Sequence, residues 1–283
     1  MKRLFLIFWI LAAGLFSSSC THLFYYPSKQ LYFDPKKFNL SPKDIWFQTE
    51  DGEKIHAWLF ESTKKPALGT ILFFHGNAEN LSAHFIHLSW LPAEGYNFLI
   101  FDYPGYGQSS SEASQAGTVQ AGRAAIEWLH QYDPQPLIIF GQSLGGAIAQ
   151  RVVLDKKDQI PIKGVVLDST FNSYQAIARK KLSLSWITWI LQPLTYVLVS
   201  DKWKASEIAK ISPVPVLVIH GQSDRVVEPE MGERVYEQLG EPKQIWRIEG
   251  GQHTDVFWSH EKKYRPQFLK WLADLNPPAT NKK

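Results

Sequence analysis

Short apolar runs recur along the chain: "TILFF" (70–74), "NFLIF" (97–101), "PLIIF" (136–140), "KGVVLD" (163–168), "VPVLVIH" (214–220) and "KQIWRI" (243–248). Most are continuous rather than alternating, which is how strands buried on both faces read, and such strands build parallel sheets. Segments of helix length separate them, predicted over roughly 79–92, 115–131, 144–157, 229–240 and 257–274. Upstream, "DIWFQTEDGEKIHAWLF" holds two extended runs around Glu50-Asp51-Gly52, and Asp-Gly in that setting predicts an antiparallel hairpin. The pattern predicts an α/β fold: a mostly parallel central sheet flanked by helices, opened by an antiparallel hairpin.

Two stretches depart from this rhythm. Between the sixth and seventh predicted strands lie about forty residues, 172–212, where one crossover helix would suffice. They include "LSLSWITWILQPLTYVLVSDKW", with three tryptophans and little charge. An insertion there, over the carboxyl edge of the sheet, is placed to act as a small helical cap facing substrate. An extra helix pair packed into the domain is the competing reading.

The other departure is the N-terminus. Met1-Lys2-Arg3 is a short basic region, and Leu4 to Phe16 is an apolar run within the range of a secretory signal and short for a membrane span. "SSS" and Cys20 follow, and Cys20 is the only cysteine, so it has no internal disulfide partner. The segment resembles a bacterial lipoprotein signal, in which the cysteine is lipidated and becomes the mature N-terminus. Ser17 stands where that motif usually has Leu, and an ordinary signal peptide or an N-terminal anchor is the alternative. The expected organisation is a signal over 1–19, an anchor and irregular arm over 20–43, the α/β domain over 44–276 and a polar tail over 277–283. An exported, membrane-anchored protein of the cell envelope is the expectation.

With 283 residues, 45% of them hydrophobic and 20% charged, the composition suits one globular domain. The net charge is +3, and Lys2 and Arg3 supply two of those charges, so the rest of the chain offers no basic surface for nucleic acid.

The chemistry is concentrated at strand ends. Gly141-Gln142-Ser143-Leu144-Gly145 matches G-x-S-x-G between a predicted strand and a predicted helix, the context the motif requires. There a serine in a strained conformation projects its hydroxyl from a sharp turn, and Gly141 and Gly145 remove the bulk that would clash. A serine hydroxyl is a weak nucleophile and needs a base, which in turn needs an orienting acid. Asp224 follows the strand ending in "VIH", and His253 follows Gly250-Gly251 after the last strand, giving the order Ser, Asp, His. Asp168 also ends a strand and competes as the acid. His260, His84 and His87 fall on predicted helices, His75 and His220 on strand-end turns, and none has partners for a zinc site. Backbone N–H groups of Leu144 and, in the loop "FFHGNAEN", of Asn77 are the candidate oxyanion donors.

These segments together, "FFHGNAEN", "FDYPGYGQS", "FGQSLGGA", "HGQSDRVVE" and "GGQHTDVF", resemble the α/β-hydrolase superfamily over roughly residues 45–275. The likeness is to its membrane-associated single-domain serine hydrolases, which include bacterial lipoproteins. It implies Ser143, Asp224 and His253 as a triad, Asn77 and Leu144 as the oxyanion hole, and no metal or organic cofactor. The expected activity is hydrolysis of a carboxylic ester or acyl-thioester through an acyl-enzyme, on a small or lipid-like acyl substrate. A peptidase, amidase or acyltransferase would use the same triad, and a catalytically silent binding scaffold would retain the fold alone.

Overall fold

The computed structural model describes residues 24–205 and 207–275. The segment read as a lipoprotein signal, Cys20 included, and the polar tail lie outside the described residues. Eight strands form one sheet: β1 Lys43–Gln48, β2 Lys54–Phe60, β3 Gly69–Phe74, β4 Tyr96–Phe101, β5 Leu137–Gln142, β6 Ile162–Asp168, β7 Val216–Gly221 and β8 Lys243–Ile248. Their spatial order is β8-β7-β6-β5-β3-β4-β2-β1. The β1–β2 and β2–β4 pairs are antiparallel, and every other neighbouring pair is parallel. The fold is therefore the α/β arrangement that the apolar runs predict. The Asp-Gly hairpin forms as expected: Gln48 pairs with Lys54, and Gly52, at φ +83°, donates to the Thr49 carbonyl at 2.9 Å.

Alternation along each strand feeds two cores. In β3, Leu72 and Phe74 point to one face and Ile71 and Phe73 to the other, all fully buried. Among the described residues five helices have ten residues or more: α1 Gln115–Tyr132, α2 Leu144–Lys156, α3 Tyr174–Ser183, α4 Pro229–Gln238 and α5 Glu261–Asp274. Side chains of α1, α2, α3 and α4, among them Val119, Val152, Ile177 and Val235, join the Leu72 core, while Phe268 and Leu272 of α5 join the opposite one. Ser114 caps α1 through the Gly117 N–H at 3.0 Å, and Ser173 caps α3 through the Ala176 N–H at 3.0 Å.

Two predicted helices come out differently. The segment 79–92 breaks into the turns Leu81–His84, Phe85–His87 and Leu91–Glu94. Pro92 supplies no N–H to a continuous helix, and the breaks let Phe85, Leu88 and Leu91 all reach the core. The last helix begins at Glu261 rather than 257, because Val256 and Phe257 are drawn into the core as a turn. The Arg265 guanidinium then closes that turn onto the Phe257 carbonyl at 2.8 Å.

The insertion after β6 holds α3, a 3-10 segment Trp189–Leu194 and the short turn Thr195–Leu198. Its base is packed, with Tyr174, Ile177 and Val199 buried, whereas its tip turns outward, leaving Trp186 88% exposed.

The stacked pair Phe60 and Phe98, 4.4 Å between ring centroids, joins β2 to β4 at the centre of one core. Replacing Phe98 by Ala is expected to cost about 3–5 kcal/mol of stability, since a buried ring leaves a cavity. Urea unfolding of the two proteins measures it, and a loss below about 1 kcal/mol would mean the site collapses around the gap.

Candidate active site

The carboxyl ends of β3 to β8 carry six loops to one edge of the sheet. Ser143 ends β5, Asp224 follows β7, and His253 follows β8. β8 lies three strand spacings from β5, about 14 Å, so the histidine loop has to run back across the ends of β7 and β6. It does: His253 Nε2 lies 3.1 Å from Ser143 Oγ, and His253 Nδ1 lies 2.7 Å from Asp224 Oδ2. A carboxylate only accepts, so Nδ1 carries the proton and Nε2 faces the serine hydroxyl as an acceptor. Asp168, the competing acid, makes no hydrogen bond to His253 among those described.

Ser143 takes φ +54°, ψ −119° directly before α2 begins. Its amide donates to the Asp168 carbonyl at 2.8 Å, and its own carbonyl accepts from Thr170 Oγ1 at 2.6 Å. The turn has no room for side chains beside it. A Cβ on Gly141 would lie 2.6 Å from the Gly146 Cα, and one on Gly145 would sit inside the carbonyl oxygens of Phe74 and His75. Gly146 is equally constrained, facing Thr170, and sequence reasoning passed over it.

Asp224 is buried, and burial alone would push its pKa up. The hydrogen bond from His253 and those from the Val226 and Val227 amides, at 2.8 and 3.0 Å, outweigh burial and hold the carboxyl below its ordinary range. His220 supports this loop by donating Nε2–H to the Val227 carbonyl at 2.9 Å. The acid and base loops are also tied together, through Gln222 N–H to the Ile248 carbonyl and Ser223 N–H to the Gly251 carbonyl, each at 2.9 Å.

Asn77 sits in the loop after β3, and Leu144 opens α2. β3 pairs with β5 at Phe74 and Gly141, so the two candidate donors occupy adjoining strand ends. The "DYPGYGQS" loop braces the first of them: Tyr103 Oη donates to the His75 carbonyl at 2.9 Å and Tyr106 Oη to the Asn77 carbonyl at 2.6 Å. Asp102 of the same loop accepts from the Leu81 amide at 2.7 Å. The tyrosines' bracing role was not read from the sequence, although two tyrosines set among glycines signal a loop that is held rather than free.

A second polar group lies behind the serine. The Gln142 side chain contacts His84 Nδ1 at 3.2 Å and Asp168 Oδ2 at 3.5 Å, and Asp168 Oδ1 accepts from Ser169 Oγ at 3.2 Å. Ser169 Oγ in turn accepts from the Thr254 amide, next to His253, at 3.1 Å. His84 stacks on both His75 and His87. Burial depresses His84 to about 3 and His87 to about 4, so both rings are neutral at neutral pH. His260 stands at the N-cap position of α5 without a side-chain capping bond, its Nε2 4.0 Å from Asp255 Oδ2. Among the described residues no three His, Cys, Asp or Glu side chains are grouped to hold a metal ion. A cavity of about 840 Å³ between Trp46, Glu127 and Trp128 is lined by none of Ser143, Asp224, His253, Asn77 and Leu144.

Burial lifts Asp168 to about 7. That lies above the ordinary value of 3.8, so between these pH values the folded state holds a proton that the unfolded chain releases. Stability therefore falls as pH rises from about 4 to about 7 and the penalty is complete above that. Asp168→Asn is expected to remove it, making the variant gain about 2–4 kcal/mol on wild type between pH 5 and pH 8. Urea midpoints at the two pH values test this, and a constant difference would sink it.

Comparison with known proteins agrees with this architecture. Residues 69–184 match the family profile described as the alpha/beta hydrolase fold. The chain is 36% identical to the Escherichia coli (strain K12) protein YfhR, over 98% of this chain and 96% of that one. It is 30% identical to the alpha/beta hydrolase domain-containing protein WAV2 of Arabidopsis thaliana, over 88% of this chain and 84% of that one. Among solved structures, an esterase from Pyrococcus furiosus superposes with a TM-score of 0.70 at 20% identity, covering 89% of this chain and 98% of its own. An esterase from Exiguobacterium antarcticum superposes with a TM-score of 0.61 at 17% identity, covering 82% and 100%. With its strand order, its serine turn and these relatives, the chain belongs to the α/β hydrolase family.

Proposed function

We propose that this protein is a serine hydrolase cleaving carboxylic esters or acyl-thioesters with an apolar acyl part. The observation that carries the reading is the continuous path from Ser143 Oγ through His253 to the ionised Asp224, with contacts of 3.1 and 2.7 Å. Asp224 fixes the imidazole with its proton on Nδ1, so Nε2 accepts the serine proton as Oγ attacks the acyl carbon. The Leu144 and Asn77 amides are the donors to the tetrahedral oxyanion, and the dipole of α2 adds to them. His253 returns the proton to the leaving group, then takes one from the water that releases the acyl group from Ser143. The esterases with this fold from Pyrococcus furiosus and Exiguobacterium antarcticum support the ester reading. Export and attachment through lipidated Cys20 complete it, supported by the basic, apolar and small-residue order of the first twenty residues.

Ser143→Ala is expected to abolish turnover of p-nitrophenyl esters, a fall of at least about 10⁴-fold, and to end labelling by a fluorophosphonate. Wild-type labelling without turnover at any chain length from acetyl to palmitoyl would keep the nucleophile and refute the ester substrate. Asp224→Asn is expected to lower kcat by about 10⁴-fold, because the imidazole loses its fixed tautomer. If that variant instead retained wild-type kcat while Asp168→Asn lost it, the acid assignment would move to Asp168.

A further inference from the structure

The tip of the insertion after β6 exposes more apolar surface than solvent contact accounts for. Trp186 is 88% exposed, Ile190 74%, Ile187 65% and Trp189 63%, and Leu184 and Val197 extend the same surface. The two tryptophans alone offer roughly 300 Å², at the size where an exposed patch marks an interaction site. Residues 182–200 contain no Asp, Glu, Lys or Arg. Basic residues flank this stretch on both sides. Segment 172–212 holds six Lys and Arg against two Asp and Glu, more positive charge than the net +3 of the whole chain. Arg179 and Lys202 have no carboxylate partner among the described residues and lie instead over the Tyr196 and Trp203 rings.

The position of Phe24 bears on what covers the tip. Phe24, the first described residue, packs its ring 5.5 Å from that of Tyr174, the first residue of α3. Four residues reach at most about 14 Å, so a lipid carried on Cys20 would hold the chain to a membrane close to the root of the cap. The cap is in turn bound to the candidate site, since Lys181 Nζ donates to the Arg225 carbonyl at 3.1 Å and to Glu228 at 2.9 Å, on the loop that carries Asp224. Val226 on that loop and Trp258 on the histidine loop are also exposed, at 53% and 65%.

We propose that the cap tip is a bilayer-docking surface, inserting Trp186, Ile187, Trp189 and Ile190 between the headgroups of an anionic membrane. Tryptophan and aliphatic side chains bury at the acyl boundary while flanking Lys and Arg meet phosphate, which is the pattern of an interfacial segment. Spanning is not available to it: its helices are short, Pro193 interrupts them, and among the described residues no helix is long and apolar enough to cross. Docking stands apart from catalysis. Only its consequence, that esters resident in the bilayer are the substrates presented to Ser143, rests on the hydrolase reading above.

The test uses the full chain reconstituted into phosphatidylcholine–phosphatidylglycerol vesicles whose acyl chains carry bromine, which quenches tryptophan on contact. Wild type is expected to show a quenched component that disappears in Trp186→Phe/Trp189→Phe. Ile187→Glu/Ile190→Glu is expected to cut hydrolysis of a long-chain ester embedded in the vesicles by about tenfold or more, with turnover of a water-soluble acetyl ester retained. Equal quenching in wild type and the Phe variant would overturn the proposal. So would a detergent-solubilised wild-type dimer that the Glu variant splits, since a second copy would then cover the tip. If wild type hydrolyses neither ester, the catalytic reading fails, and the quenching still decides whether the cap docks.

Discussion

Between Gly145 and the backbone of Phe74 and His75 there is no space for even one carbon atom. That approach presses the first turn of α2 against the loop after β3, and the geometry of the site depends on it. It draws the first turn of α2, which Leu144 opens, onto that loop, directly after Ser143 at positive φ. Gly141 and Gly146 extend the same constraint toward Ala149 and Thr170. The candidate nucleophile is thus defined by what its neighbours lack. A single methyl at any of these three positions would lie under 3.0 Å from its neighbours and force the turn to shift.

Such a turn has to be held by interactions elsewhere. A non-glycine residue at positive φ costs about 1–3 kcal/mol, and Ser143, Ser169 and Thr254 all adopt one at this edge of the sheet. Each is tied in place. Thr170 and Asp168 clamp the two backbone groups of Ser143, and Ser169 accepts from the Thr254 amide. The strand between the serine and the acid therefore contributes no member of the candidate triad, yet it braces the serine and the histidine loop together. Burial keeps Asp168 largely protonated below about pH 7, and it makes no hydrogen bond to His253 among those described.

The cap shows the opposite balance. Its root is packed and hydrogen bonded to the acid loop, while its tip carries large apolar side chains that are mostly exposed among the described residues. Apolar side chains left in water are unfavourable by about 25 cal/mol per Å² relative to burial, so their placement makes sense through what they meet outside the fold. The arm beginning at Phe24 reaches the same root, where the Phe24 ring packs edge-on against Tyr174.

Sheet, hairpin, serine turn and the order Ser143, Asp224, His253 could all be read from residues, because each rests on local physics. Buried parallel strands must be apolar throughout, Asp-Gly must turn, and a strained serine must have glycine neighbours. Position was harder. The 79–92 helix and the start of α5 were misjudged because tertiary packing drew Phe85, Val256 and Phe257 inward at the expense of regular helix. Composition made the cap apolar but could not say whether its tryptophans faced the core or the solvent, since that depends on which surfaces the rest of the chain has already covered. Asp168 stayed a competitor to Asp224 along the chain. Both end parallel strands, and only the path of the 249–255 loop across the sheet edge gives one of them the imidazole. Pairings that follow from a residue's own neighbours in sequence are written in the chain, whereas those between loops more than a hundred residues apart exist only once the sheet has brought their ends together.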